Sequence, residues 1–352
     1  MATKETMSRP LADNRAQAAF LPHEENPHNS DCDRRTAKYA IGFTLDANDA
    51  DRNFEVGMNH AVSERFDDAI NAYSESIKLG GDNLAMVHLF RGDARVATER
   101  FDEAIADFTE AHRLASERTP HIATGNSADD LKSLALARRG WARCHAGQFD
   151  EAIDDHSEAI RLNPNNEAAY CGLADAYCAK GEYGRAISNY NEAVRLDPAY
   201  AAAYNGRGLA HHCMAVYGAA VRDYCEAIRL DPNSCTAYAN MGKACTDLEL
   251  YDDAIRNLNE AIRIEPQFAG FYTFRAQAHC RQEQYDDAVN DYTEALWIDP
   301  CDDDAYTNRG ETYRGMGQYE KAIEDFKTAI LINPGNMEAK VALREMLGPN
   351  MM

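Results

Sequence analysis

Small and apolar residues recur along this chain in eight copies of one 34-residue pattern, which fill residues 50–336. In each copy a small residue is followed nine positions later by an aromatic residue and three positions after that by an alanine. The aligned alanines are Ala69, Ala104, Ala152, Ala186, Ala220, Ala254, Ala288 and Ala322. Repetition at such a period is typical of solenoids, in which each unit buries its apolar face against its neighbours.

Each copy predicts two helices. In the second helix, apolar residues fall at i, i+3, i+4 and i+7, which places them on one helical face. The small residue of the first helix marks a place where another helix backbone comes close. In the last six copies a proline stops the second helix, because proline cannot continue a hydrogen-bonded helix. These prolines are Pro164, Pro198, Pro232, Pro266, Pro300 and Pro334.

The pattern resembles the tetratricopeptide repeat (TPR). In one copy the TPR signature is matched by Tyr170, Leu173, Ala174, Tyr177, Ala186, Tyr190, Ala193 and Pro198, and the other copies match nearly as well. The resemblance implies an all-α fold, a right-handed superhelical solenoid of about eight TPR helical hairpins with a concave groove. It also implies that the chain binds a peptide or protein and is not an enzyme.

The copies divide the chain into five segments. Residues 1–49 are polar and without a sustained period, so we expect them to be disordered. Repeats one and two occupy 50–118, an inserted loop follows at 119–132, and repeats three to eight occupy 133–336. The last segment, 337–347, predicts a helix that caps the final hairpin.

The insertion interrupts the phase of the repeats and has two interpretations. It is either a plain loop or a flap over the groove. Within it, Ser127 has the character of a helix N-cap, with Asp130 three residues on. The first helix of repeat three is therefore expected to begin early.

The chain is acidic, with 58 acidic and 36 basic residues and a formal net charge of −22. Much of the acid is expected on solvated helix starts, where it favours the helix dipole. The remaining excess argues against nucleic acid, because phosphate binding needs a basic surface. No stretch approaches the roughly 20 apolar residues of a membrane span, and residues 1–30 carry no secretory signal. We therefore expect a cytoplasmic protein without a membrane partner.

Candidate chemistry is sparse. The ten cysteines include no CxxC and are expected to be reduced thiols. Cys171 and Cys178 stand near His211, His212 and Cys213 in the repeats, but two turns of helix separate the first two by about 10 Å. We expect no metal site and no cofactor. No glycine-rich phosphate loop and no nucleophile beside a base is recognisable either, so no enzyme is predicted.

A matched pair of charges recurs inside the repeats. Five copies have an arginine before the small central residue, and the same five have an aspartate sixteen positions later. Where the arginine is missing, the aspartate is missing too. We interpret the pairs as structural ion pairs between the two helices of a hairpin, with ligand-binding arginines as the alternative. They are Arg91/Asp107, Arg139/Asp155, Arg207/Asp223, Arg275/Asp291 and Arg309/Asp325.

The groove-facing positions of the family indicate the binding surface. Transferred to this chain, they give as predicted contact residues Phe54, Leu89, Asp93, Trp141, Asp175, Asn205, Leu209, His212 and Lys243. Trp141 is either an aromatic anchor for the partner or plain packing. Asp93 and Asp175 are expected to meet lysine or arginine, so the expected partner is a basic or apolar segment.

One family subtype is not expected here. Some TPR co-chaperones hold the C-terminal tails of heat-shock proteins with a lysine and an asparagine four residues apart on a first helix. The matching positions in this chain, such as Ala137 and Trp141, do not hold that pair. Two functional hypotheses remain. The first is a scaffold that binds a segment in the groove, and the alternative is a regulatory or chaperone-like subunit of a larger enzyme complex.

Overall fold

The computed structural model describes residues 49–81, 83–117 and 128–347. Every regular element in these ranges is a helix, joined to the next mostly by a short turn. The helices are α1 (Asp49–Val62), α2 (Phe66–Leu79), α3 (Leu84–Ala97), α4 (Phe101–Glu117), α5 (Ala128–His145), α6 (Phe149–Leu162), α7 (Glu167–Ala179), α8 (Tyr183–Leu196), α9 (Ala201–Cys213), α10 (Tyr217–Leu230), α11 (Cys235–Asp247), α12 (Tyr251–Ile264), α13 (Ala269–Arg281), α14 (Tyr285–Ile298), α15 (Asp303–Gly315), α16 (Tyr319–Ile332) and α17 (Met337–Leu347).

The chain divides into two compact units between Ala210 and His211, inside α9. In the N-terminal unit the hairpins α1–α2, α3–α4, α5–α6 and α7–α8 follow one another, and each packs against the next. In the C-terminal unit the same arrangement holds for α11–α12, α13–α14 and α15–α16, and α17 packs against α16. The all-α solenoid of stacked hairpins that the sequence predicts is confirmed in both units.

Small residues on the first helices let large side chains of the second helices fill the hairpins. At Gly92 an added Cβ would lie 2.5 Å from the ring of Phe108, so only glycine fits there. The recurring alanines of the second helices, such as Ala104 and Ala111, are fully buried. These contacts explain why the sequence repeats small residues so strictly.

Helix starts follow the local sequence. The helices α7, α11 and α15 begin after Asn166, Ser234 and Asp302, whose side chains accept a hydrogen bond from the backbone N–H three residues later. Helix α5 begins at Ala128, so residues 128–132 of the predicted insertion are helical and not loop. Leu131 and Leu134 explain the early start, because both pack against a buried core. Ser127, the predicted N-cap, lies outside the described residues.

The predicted ion pairs lie inside the hairpins. In four copies the arginine donates two hydrogen bonds to the two oxygens of its aspartate, at 2.5–2.9 Å; the pairs are Arg91–Asp107, Arg139–Asp155, Arg275–Asp291 and Arg309–Asp325. These four are confirmed as structural pairs. The members of the fifth, Arg207 and Asp223, belong to different units, and that pair stays a prediction.

Each of these arginines has a further contact outside its own hairpin. Its remaining terminal N–H group donates to a polar side chain on the second helix of the preceding copy. The acceptors are Ser74 for Arg91, Thr109 for Arg139, Asn259 for Arg275 and Thr293 for Arg309. One guanidinium therefore connects three helices.

Candidate functional site

The predicted groove face consists of two positions, four residues apart, on each first helix, and a third position one turn further on, which includes His212. At the first of the two positions the side chains of Phe54, Leu89 and Asn205 are buried. Phe54 packs against the rings of Tyr73 and Phe90, with centroids 5.8 and 5.4 Å away, and Leu89 lies in a core cluster with Phe108. These three predicted contact residues contribute to packing, because the first position faces the neighbouring helices.

At the second position the side chains are partly exposed. Met58, Asp93, Trp141, Asp175 and Leu209 all belong to this class in the N-terminal unit. The accessible part of the predicted face is therefore the row of second positions.

Asp93 is paired within the chain. Its carboxylate accepts a hydrogen bond from the guanidinium of Arg138, which is itself buried and lies 5.9 Å from the Phe90 ring centroid. Burial raises the pKa of Asp93 to about 6, although the Arg138 guanidinium acts to lower it. Asp93 therefore already contacts a cation of its own chain, and its expected contact with a partner's cation stays a prediction.

Trp141 and Asp175 come together at one cleft between α5 and α7. Its lining includes Trp141, His156, Cys171, Gly172, Asp175 and Tyr200, with Ala137 and Ala168 completing it. Trp141 also packs against His145, with ring centroids 3.9 Å apart. Trp141 and Asp175 are thus two predicted contact residues that line the same concave site.

One residue that lines the cleft is an exception in the repeat. His156 occupies the position that Tyr190 and Phe108 hold in neighbouring copies, and its ring lies between Gly140 and Gly172. Only 1% of His156 is exposed, and neither ring nitrogen has a hydrogen-bond partner in the described part of the chain. Burial lowers the pKa of His156 to about 4, so the ring is neutral at pH 7. A neutral imidazole has one N–H donor and one acceptor nitrogen to offer.

The charge at the cleft comes from Asp175. Its carboxylate accepts a hydrogen bond from the hydroxyl of Tyr190. Burial raises the pKa of Cys144 to about 12, and the Asp175 carboxylate adds to that effect. The pKa of Tyr190 is likewise raised, first by burial and then by Asp175. Asp175 thus makes the potential around the cleft negative.

In the C-terminal unit the predicted contact residues are engaged with their neighbours. The Nε2 atom of His212 lies 2.8 Å from Oδ2 of Asp247, and its ring meets Tyr217 edge to face. The ammonium of Lys243 lies over the ring of Phe274, 4.5 Å from the centroid. These contacts form separate local pairs.

Sequence reasoning missed His156, Arg138 and Tyr200. A signal for His156 was available, because the residue four positions after the recurring alanine is tyrosine, phenylalanine or leucine in every other copy. Arg138 and Tyr200 gave no such signal, since side chains at their positions vary between copies.

Models of the tetratricopeptide repeat match most of the repeated region. One, described as TPR repeat, matches residues 140–180, 174–214 and 276–317. Three others, each described as tetratricopeptide repeat, match 57–118, 236–268 and 303–336. The chain belongs to the tetratricopeptide repeat family. No curated protein matches the chain.

Solved structures share the TPR fold. A chain of the APC/C hetero-tetramer Cut9–Hcn1 is 17% identical with a TM-score of 0.63; the match covers 95% of this chain and 64% of that one. A tetratricopeptide repeat protein from Parabacteroides merdae is 19% identical with a TM-score of 0.55, over 76% of this chain and all of that one. YrrB, a TPR protein with an unusual peptide-binding site, is 25% identical with a TM-score of 0.44, over 54% and 98%.

The TPR fold is generally a non-catalytic scaffold for protein interaction, and this chain has that architecture. Among the described residues no group of three or more histidine, cysteine, aspartate or glutamate side chains is arranged to hold a metal. None of the described cysteines forms a disulfide. Over the same ranges, each helix is too short or too polar to traverse a lipid bilayer.

Proposed function

We propose that this TPR protein is a scaffold that binds a segment of a partner protein along the groove face of its N-terminal repeats. The observation that carries the proposal is the row of partly exposed second positions, with Trp141 and Asp175 at one cleft. Partly exposed aromatic side chains in concave sites supply much of the contact energy in protein interfaces.

Charge defines the kind of segment. The chain carries a net charge of −22, and Asp175 lies at the cleft. A negative surface attracts basic segments and speeds their association, an effect that salt weakens. The expected partner segment is therefore basic or apolar.

The test compares two variants at equivalent places in the repeat. Trp141→Ala removes the aromatic side chain in the N-terminal unit, and Glu311→Ala changes the same repeat position in the C-terminal unit. We expect pull-down with mass spectrometry to recover a protein set that the Trp141→Ala chain loses and the Glu311→Ala chain keeps. Recovery should fall as salt is raised.

Melting temperatures distinguish binding from folding. Trp141 packs partly against the core cluster around Leu89, so its loss is expected to lower stability as well. A folded Trp141→Ala chain that still captures every partner would refute this proposal. Recovery of a stable stoichiometric complex with an enzyme would instead support a regulatory or chaperone-like subunit.

A further inference from the structure

An ion pair recurs on the exposed side of the second helices, and the last two copies lack it. In each of the first six copies a glutamate stands six positions after the recurring alanine, and a lysine or arginine stands nine positions after it. In all six the cation donates a hydrogen bond to the glutamate at 2.5–2.9 Å; the pairs are Glu75–Lys78, Glu110–Arg113, Glu158–Arg161, Glu192–Arg195, Glu226–Arg229 and Glu260–Arg263.

Large apolar side chains replace the cation in copies seven and eight. Trp297 and Leu331 stand there, with 74% and 82% of their surface exposed. Met337, which begins α17 just after the turn that follows α16, is exposed as well. We call these three residues the C-terminal patch. Neighbouring apolar side chains that are left in solvent mark interaction sites, whereas a single one is ordinary.

The two second helices that carry the patch lie side by side. Both pack against α15, whose Arg309 donates to Asp325 of α16 and to Thr293 of α14. Trp297 comes one helical turn after Thr293. Because Trp297 and Leu331 occupy equivalent positions of successive hairpins, one helix diameter separates them, about 10–12 Å. A short segment is long enough to contact both.

The charges beside the two apolar residues differ. Glu294 keeps its place three residues before Trp297, and its exposed carboxylate forms no ion pair among the described residues. A cation over the Trp297 ring would also meet this carboxylate, and both contacts are favourable. Beside Leu331 the equivalent residue is Thr328, whose hydroxyl donates to the backbone of its own helix. Lys327 adds a positive charge one turn before Leu331, so the patch favours a cation only at its Trp297 end.

We propose that the C-terminal patch docks a segment of a partner protein in which an arginine or lysine is flanked by large aliphatic side chains. The basic group lies on the Trp297 ring and meets Glu294, where it takes the place of the cation that the first six copies supply themselves. The aliphatic side chains cover Leu331 and Met337. A net charge of −22 attracts such a segment and repels a second copy of this chain. Trp297 and Leu331 lie on second helices, so this contact is separate from the one proposed for the first-helix groove.

Trp297 itself reports contact with the patch. The chain has two tryptophans, so a Trp141→Phe chain emits from Trp297 alone. A docked segment shifts that emission to the blue and protects the ring from acrylamide quenching. The probes are three pools of twelve-residue peptides built from alanine, serine and glutamine. The pools carry one arginine and two leucines, one glutamate and two leucines, or one arginine and two further serines, each at random places.

Three changes in the Trp141→Phe chain test the two ends of the patch. Glu294→Gln removes the charge and leaves the ring. Leu331→Arg combined with Thr328→Glu gives α16 the ion pair of the first six copies. Arg229→Ala changes the equivalent position on α10 and is the matched control. All four side chains are at least partly exposed, and melting temperatures check that each variant is folded.

We expect the pool with arginine and leucine to protect Trp297 at about tenfold lower concentration than either other pool, the size of one cation–π contact with an ion pair or of two apolar contacts. In Glu294→Gln the preference for arginine over glutamate should fall to about threefold, the remainder coming from the ring and the net charge. The Leu331→Arg/Thr328→Glu chain should lose the preference for leucine over serine, and Arg229→Ala should behave as its parent.

Four results would overturn the inference. They are protection by no pool, equal protection by the arginine and glutamate pools, a preference for arginine unchanged in Glu294→Gln, and equal loss of protection in Arg229→Ala. Protection of Trp297 that grows with protein concentration in the absence of peptide would also overturn it, in favour of a second copy as the occupant. Each readout is local to Trp297, so the proposed function of the groove stands or falls separately.

Discussion

Buried aspartates of the hairpins have different numbers of arginine partners in the two units. In the N-terminal unit, Asp107 accepts hydrogen bonds from Arg91 and also from Arg95, whose Nη1 lies 2.6 Å away. In the C-terminal unit, Asp325 receives the paired hydrogen bonds of Arg309 alone among the described contacts. The two carboxylates occupy equivalent positions, and both are buried.

A position one turn along the first helix contributes to the difference. Four positions after the pairing arginine, one helical turn on, the N-terminal unit has Arg95 and Arg143, while the C-terminal unit has His279 and Tyr313. Hydrogen bonds from His88 and Arg91 outweigh the opposing effect of burial and lower the pKa of Asp107. The comparison indicates that the aspartate between the two helices of such a hairpin can be paired with either one or two arginines.

The largest effect is expected from Asp107→Asn. The substitution leaves two guanidiniums inside the hairpin without their carboxylate, and removing one partner of a buried pair costs about 3–5 kcal/mol. Asp325→Asn leaves one guanidinium and should cost about 2 kcal/mol less, the contribution of one hydrogen bond between charged groups. Urea unfolding followed by circular dichroism measures both, and hydrogen exchange shows whether the loss lies in α3 and α4. If the two variants lose the same free energy of unfolding, the second guanidinium makes no difference to stability.

The second-largest effect is expected from low pH, which should lower the stability of the N-terminal unit. His156 has its pKa lowered to about 4 by burial, so the folded chain stays unprotonated while the unfolded chain takes up a proton near pH 6.5. The stability that this contributes is present above pH 6.5 and is lost as the pH falls toward 4, up to about 3 kcal/mol.

His156→Phe is the control for that loss. Relative to the parent, His156→Phe should become more stable as the pH falls from 7 to 4, because only the parent loses the contribution of His156. The contribution of Asp93 is the same in both chains and cancels. The equivalent positions of the C-terminal unit hold Tyr224, Leu258, Tyr292 and Phe326, so hydrogen exchange should locate the acid effect around α5 to α7. A constant difference across this pH range would contradict the assignment.

A smaller effect is expected when an ion pair is replaced as a whole. The α7–α8 hairpin has Leu173 and Asn189 at the paired positions, and the Asn189 amide donates to the backbone of its own helix. Arg309→Leu alone should cost about 2–3 kcal/mol, because the buried Asp325 carboxylate loses its hydrogen-bond donor. Adding Asp325→Asn should recover all but about 1 kcal/mol. If the double variant is no more stable than Arg309→Leu, an uncharged pair like that of the α7–α8 hairpin cannot replace the ion pair in the α15–α16 hairpin.

The smallest effect is expected from Arg143→His, which gives the N-terminal unit the arrangement of the C-terminal one. Arg143 is the second guanidinium on Asp155, at 2.7 Å, and Arg139 remains in place. The loss should be about 1 kcal/mol, as for one partly exposed charged hydrogen bond. Thermal melts at low and high salt measure it, and a loss as large as that of Asp107→Asn would mean that the second arginine is indispensable.

Periodic features of the fold are predictable from the sequence, and single exceptions are not. The spacing of alanines and glycines predicts the hairpins because close backbone contact permits few residue types, and the joint presence of arginine and aspartate predicts the pairs. The candidate site depends on how deeply each side chain lies. Phe54 and Leu89 are apolar in any case, so the sequence does not say whether they face a partner or the core. The cleft is lined by His156, a single departure from the repeat whose surroundings no periodicity predicts.

The arginine contacts with the preceding copy also determine how the array responds to force. Repeats in a solenoid hold together through nearest-neighbour contacts, so tension separates them first where those contacts are fewest. The junction of α6 with α7 lacks the guanidinium contact, since Leu173 stands where the arginine would be. The cleft of His156 and Trp141 lies at this same junction. A segment bound there would bridge two repeats at a junction where the arginine contact is replaced by leucine.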